Sequence, residues 1–169
     1  MNMNCTIPEI IELASFDGDY QAYETAVYAA YCECFQNKNF TFQGLKIGHK
    51  KHPEYKEKPA TFWHIISQGP DESNREPDLR RYERIRWPSH ILENCCSVDC
   101  DKLLIWENRR NGKKRVLIFC VELDYLVVLD KREGYLIFWT AYPVNYPNQK
   151  QKLIKEYNEY MAKAAQPIG

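Results

Sequence analysis

Lysine and arginine are missing from the first 37 residues. That stretch holds Glu9, Glu12, Asp17, Asp19, Glu24 and Glu33, and the whole chain has zero formal net charge. Residues 38–169 therefore carry a net +6. Glycine is scarce as well: 7 in 169 residues, scattered singly. That argues against the phosphate-cradling loops of ATP and dinucleotide enzymes, so no cofactor is expected. No apolar run approaches the ~18 residues of a membrane span. Met1 to Thr6 lack the basic and apolar regions of a signal peptide, and no membrane association is expected. Cysteine occurs 7 times, an odd number that does not suggest a disulfide framework and fits a reduced, cytoplasmic setting.

What is present is ordinary globular material, 44% hydrophobic and 27% charged. The length suits a single domain over 1–169, with an acidic helical part at 1–37 and a basic part at 38–169. The two parts either pair with each other or leave a basic surface for a polyanion such as nucleic acid.

Thr6-Ile7-Pro8-Glu9 has capping-box spacing and predicts a first helix. Tyr20, Tyr23, Val27, Tyr31 and Cys34/Phe35 recur every three or four residues, which predicts a second helix to about Gln36. Phe40–Phe42 and Leu45–Ile47 alternate weakly, like a short edge strand. Thr61–Ser67 is β-branched and aromatic and reads as a strand. Pro77 opens a helix from Asp78 to about Trp87, and Pro88 stops it. Asn111-Gly112 marks a hairpin between Leu103–Asn108 and Arg115–Val121. Lys131 to Gly134 marks another between Tyr125–Asp130 and Tyr135–Tyr142. Gln149 to about Ala164 reads as a closing helix. The expected class is α+β: N-terminal helices packed on a four-stranded antiparallel meander sheet, with a C-terminal helix.

The metal-like spacings are imperfect. His49-x-x-His52, Cys32-x-Cys34 and Cys95-Cys96-x-x-x-Cys100 do not form matched ligand pairs, so no metal site is expected. No local signal singles out a nucleophilic cysteine. His64 is more informative, because arginines follow it closely and imidazole moves protons near neutral pH. On a helix, Arg81 borders the apolar face of Leu79, Tyr82 and Ile85, and Arg86 falls within it. Arg80 and Arg84 point outward. An arginine on a buried face needs an anionic partner or a cleft; the plain partners are Glu93 and Asp99. Thr140 and Tyr142, two apart on a strand, present their hydroxyls to one face. A histidine, arginines and neutral hydroxyl donors together make a kit for metal-free phosphodiester cleavage.

The order of elements, and the progression His64 … Arg80-Arg81-Tyr82-Glu83-Arg84-Ile85 … Thr140-Ala141-Tyr142, resembles the barnase–EndoU–colicin–RelE group of small ribonucleases, in its phage- and toxin-associated branches. The resemblance covers roughly residues 60–145. It implies a toxin-like, metal-independent RNA endonuclease with His64, Arg81, Arg84, Thr140 and Tyr142 as catalytic residues, acting on RNA and held by an antitoxin protein. The RNA is expected to be gripped by Lys50, Lys51, His52, Arg80, Arg86, Arg109, Arg110 and Arg115. The neutral net charge departs from the basic character of such toxins and suits a narrow substrate such as tRNA or another structured RNA. The alternative is a non-catalytic module that binds nucleic acid or protein in a toxin–antitoxin or phage-defence system.

Overall fold

A computed structural model describes residues 7–36, 38–71, 73–94 and 103–166. Residues 7–12 run without regular structure into a single 3₁₀ turn, Leu13–Phe16, in place of the expected first helix. Helix α1, Tyr20–Phe35, begins where Asp19 accepts a hydrogen bond from the Ala22 amide at 3.0 Å. It buries Tyr23, Val27, Ala30, Tyr31 and Phe35, a single stripe at helical spacing.

Strands β1 (Phe40–Phe42) and β2 (Leu45–His49) form a hairpin through Gln43 and Gly44, both at positive φ. Then come helix α2 (Ala60–Ile66), the two-residue strands β3 (Ser67–Gln68) and β4 (Glu76–Pro77), and helices α3 (Leu79–Glu83) and α4 (Trp87–Asn94). Four longer strands follow: β5 (Leu103–Arg110), β6 (Lys113–Cys120), β7 (Tyr125–Lys131) and β8 (Leu136–Pro143). Helix α5 (Pro147–Ala164) closes the described chain.

The four-stranded antiparallel sheet expected from the sequence is corrected here. The sheet has six strands in the order β1-β2-β8-β7-β6-β5, and β3 with β4 makes a separate two-stranded sheet. The strands β5 to β8 are successive antiparallel neighbours, but β2 joins β8 in parallel, which makes the sheet mixed. That pairing joins segments far apart in sequence and has no turn chemistry to announce it. The β5–β6 turn uses Asn111 (φ 51) and Gly112 (φ 74), with Arg110 opposite Lys113. Two positive φ values fit a turn whose twist matches the strands.

Two more expectations fail for identifiable reasons. Thr61–Ser67 is mainly helix α2 rather than strand. Six of its seven helical residues are buried, so no polar face reveals a period, and β-branched composition is a weak guide. Pro88 does not stop a helix at Trp87. It sits in the first turn of α4, where its missing N–H costs nothing, and the preceding helix α3 is only five residues long.

Both sheet faces are covered. One packs Val116, Ile118, Tyr125, Val127, Leu136, Phe138 and Ala141 against residues of α1 to α4. The other packs Leu117, Phe119, Leu126 and Val128 with Trp106 against Leu153 and Tyr157 of α5.

Candidate functional site

β2 accompanies β8 only from Ile47↔Leu136 to His49↔Phe138. β8 then continues to Pro143, while the chain after His49 turns away. The end of α2 fills the fork. The Thr61 hydroxyl accepts from the Lys50 amide at 2.7 Å, and the Thr61 amide donates to the Lys50 carbonyl at 3.0 Å, so α2 starts against the departing strand. At its other end, the Thr140 hydroxyl on β8 donates to the His64 carbonyl at 3.2 Å.

A short helix leaves its last carbonyls without intrahelical donors. Here two guanidinium groups serve them. Arg75 donates from Nη2 to the Ser67 carbonyl (2.7 Å) and the His64 carbonyl (3.3 Å), from Nη1 to the Gly69 carbonyl (3.0 Å), and from Nε to the Ser67 hydroxyl (2.9 Å). Arg81, on α3, donates from Nη1 to the Ser67 carbonyl at 2.8 Å, and its Nε lies 3.5 Å from Asp78 Oδ2. The Arg81 guanidinium lies 4.9 Å from the centroid of the Tyr142 ring. Burial lowers the Arg81 pKa from its usual value, against the opposing pull of Asp78. Tyr125 is fully buried, and the positive charges of Arg81 and Arg84 only partly offset the rise that burial gives its phenol pKa.

His64, expected on a strand, is therefore a helix residue in the last turn of α2, with 6% of its surface exposed. Its imidazole packs on the Trp139 indole, ring centroids 4.9 Å apart. Three cations share that indole. The Arg115 guanidinium lies 4.2 Å from the ring centroid, Lys50 Nζ 5.7 Å and Lys113 Nζ 5.9 Å. Arg115 and its partner Asp130 are both buried, with Nη1 and Oδ1 2.9 Å apart, and Arg132 Nη2 reaches the other Asp130 oxygen at 2.6 Å. Burial lowers the Arg115 pKa, while Asp130 acts in the opposite direction.

The fold thus brings His64, Arg81, Thr140 and Tyr142 to the junction of α2, α3 and β8. Arg84 faces Trp87, 5.0 Å from its ring, and donates to Glu83 and to the Arg80 carbonyl, both at 3.1 Å. Arg80 is exposed, and Arg86 is half-buried. Glu93, one expected partner of Arg86, instead pairs with Lys38, and Asp99 lies outside the described residues. Lys51 and His52 are exposed in the loop that leaves β2. Arg109, Arg110, Lys113 and Lys114 are exposed at the β5–β6 tip, with Arg109 opposite Lys114 and Arg110 opposite Lys113. Like charges directly opposite repel, so this tip concentrates uncompensated positive charge.

Sequence reasoning missed Trp139 and Asp130, and gave Arg75, one of the arginines that follow His64, no role of its own. The signal for Trp139 was faint: a large aromatic among the hydroxyl residues of the last strand. Asp130 ends the apolar run Tyr125–Leu129 of β7, and a buried carboxylate there needs a cation beside it. Among the described residues no group of three or more His, Cys, Asp or Glu could hold a metal ion. The sequence Cys95-Cys96-x-x-x-Cys100 lies outside them. Among them, too, no helix is long and apolar enough to cross a membrane. No protein-family model matches the chain, and no curated protein and no solved structure is detectably similar to it.

Proposed function

We propose that this chain is a metal-independent RNA endonuclease working at the junction of α2, α3 and β8. One observation carries the reading. Thr140 bonds the His64 carbonyl, and Arg81 lies over Tyr142, so four residues chosen for one chemistry, drawn from three separate elements, meet at one fork. Lys50 and Lys113 beside Trp139 add a route for a polyanion to that fork, whereas Arg115 is buried and held by Asp130.

In the proposed reaction the substrate's 2′-oxygen attacks the adjacent phosphorus. His64 accepts the 2′-hydroxyl proton. The bond from phosphorus to the 5′-oxygen breaks, and that oxygen leaves as a hydroxyl with a proton from solvent. Arg81 stabilises the charge that builds on the phosphate oxygens, with the Tyr142 hydroxyl donating alongside it. Thr140 keeps the end of α2, and so His64, against β8. The products are a 2′,3′-cyclic phosphate and a 5′-hydroxyl.

The test is incubation of the full chain with total RNA or tRNA in EDTA, wild type beside His64→Ala and Arg81→Gln, with product ends read by mass. The expected result is cyclic phosphate from the wild type and a loss on the order of 10²-fold or more for His64→Ala. Equal cleavage by wild type and His64→Ala, or cleavage only with added metal, rejects the proposal. A second reading, a non-catalytic RNA-binding module, is favoured by the burial of His64 and by the commitment of Thr140 and Arg81 to backbone carbonyls. It requires RNA binding that survives His64→Ala with no cleavage by either protein.

A further inference from the structure

β8 carries one residue more than the strand beside it. Leu129 pairs with Phe138 and Val128 with Thr140, so Trp139 has no opposite residue on β7 and forms a β-bulge. The extra residue changes which way the rest of the strand faces. Leu136 and Phe138 point into the core shared with the helices α1 to α4, and strict alternation would send Thr140 and Tyr142 after them. With Trp139 inserted, Ala141 takes the inward place. Thr140 and Tyr142 then lie opposite Val128 and Leu126, on the other face of the sheet. The hydroxyl residues of the fork owe their direction to the bulge.

The bulged side chain is itself held. Its indole takes the Arg115 guanidinium at 4.2 Å from the ring centroid, and the His64 imidazole at 4.9 Å between centroids, inclined at 49°. Arg115 is fixed in turn by Asp130, Nη1 to Oδ1 2.9 Å, and both are buried. A chain of contacts thus runs from Asp130 through Arg115 and Trp139 to His64. The His64 backbone is fixed separately, its carbonyl accepting from Thr140 and Arg75. The imidazole ring rests on the indole.

An indole face attracts imidazolium more strongly than imidazole, because its quadrupole acts on a charge. The attraction therefore grows as His64 takes up a proton. Opposing it are Arg115, whose charge Asp130 balances, and Lys50 and Lys113, 5.7 and 5.9 Å from the same ring. On its other side His64 lines a groove with Glu24, Glu54 and Lys56, and Arg75 lies at its carbonyl. These charges are common to the wild type and to a Trp139 variant, so the difference between the two isolates the indole.

We propose that Trp139, aimed by the bulge and backed by the Arg115–Asp130 pair, is a positioning residue for His64: it sets the tilt of the imidazole and stabilises the ring as it becomes charged. The proposal rests on the RNA-cleaving reading and adds to it a residue that acts through His64 rather than on the substrate.

The experiment follows the ring protons of the four histidines by NMR through a pH titration of the full chain, with His64 assigned by its loss in His64→Gln. Wild type is compared with Trp139→Phe, which keeps an aromatic ring, and Trp139→Leu, which keeps only apolar bulk. Urea unfolding of each protein confirms that it is folded. The expected result is a His64 signal that leaves its ring-current-shifted position in Trp139→Leu, with a titration midpoint lower by about 0.5–1.5 pH units, and a smaller fall in Trp139→Phe. In EDTA-resistant RNA cleavage the acid limb of the pH profile moves down with that midpoint. The plateau rate of Trp139→Leu falls roughly 3- to 30-fold and is partly recovered in Trp139→Phe. A His64 midpoint unmoved within about 0.2 pH units in Trp139→Leu, or moved equally in both variants, overturns the proposal. His64-dependent cleavage whose pH profile is the same in wild type and Trp139→Leu overturns it alone and leaves the nuclease standing. The expected NMR shifts without cleavage by any of the proteins support the control of His64 by Trp139 and remove only the nuclease.

Discussion

His49 makes the fold sensitive to acid, and the size of the effect follows from its surroundings. The ring lies among Tyr31, Phe35 and Phe138, at 5.7, 5.1 and 5.8 Å between centroids, and its Nδ1 is 2.8 Å from the Tyr31 hydroxyl. With the neutral ring, which of the two donates follows the tautomer. Burial lowers the His49 pKa from 6.5 to about 4. Between those values the unfolded chain binds a proton that the folded chain refuses, so stability falls as pH falls. Above pH 6.5 the contribution is complete, and below about 4 it is gone. At about 1.4 kcal/mol for each pH unit, the loss reaches about 2.5 kcal/mol by pH 4.5. The assay is urea unfolding at a series of pH values, wild type beside His49→Phe. The variant leaves the Tyr31 hydroxyl without its His49 partner, a fixed cost of about 1–3 kcal/mol, but carries no titrating proton at that position. Its advantage over wild type should therefore grow as the solution is acidified, because every other carboxylate and imidazole cancels in the comparison. Two curves that stay parallel within about 0.5 kcal/mol from pH 7 to 4.5 would refute the reasoning.

Asp130→Asn should destabilise the fold by about 3–5 kcal/mol, because it leaves the buried Arg115 without its counter-charge; a loss under about 1 kcal/mol in the unfolding free energy from urea titration would mean that water already screens the pair. Replacing Arg109 and Arg110 together with Gln should leave the unfolding midpoint nearly unchanged and reduce the slope of log affinity for single-stranded RNA against log salt by about 1.4. An unchanged slope would place the RNA away from the β5–β6 tip.

Local chemistry made much of the second half of the chain legible. Asn111-Gly112 announced the β5–β6 hairpin, and both residues take the positive φ that such a turn demands. The stripe of Tyr23, Val27 and Tyr31 announced α1. The parallel pairing of β2 with β8 could not be read, because nothing near Leu45 refers to Leu136. Nor could α2, whose burial on nearly every side erases the periodicity that separates helix from strand. That error hid the geometry of the site. On a strand His64 would share a face with Phe62 and Ile66; as a helix-end residue it meets Trp139 and lends its carbonyl to Thr140 and Arg75. Arg81 was singled out as bordering the buried face and needing an anionic partner or a cleft; it finds a backbone oxygen, the Ser67 carbonyl, as well as Asp78. Tertiary contacts of this sort leave no trace in spacing or composition.

The parting of β2 from β8 has a consequence beyond the residues it gathers. A strand with one vacant side ordinarily invites another chain to lie along it. Here a helix of seven residues acts as the stopper, hung on the ten-residue tether 50–59. The two ends of that tether are bonded to each other, Lys50 to Thr61 and Lys51 to Ala60, so the loop between them can change length while the stopper and every rung of the ladder stay in place.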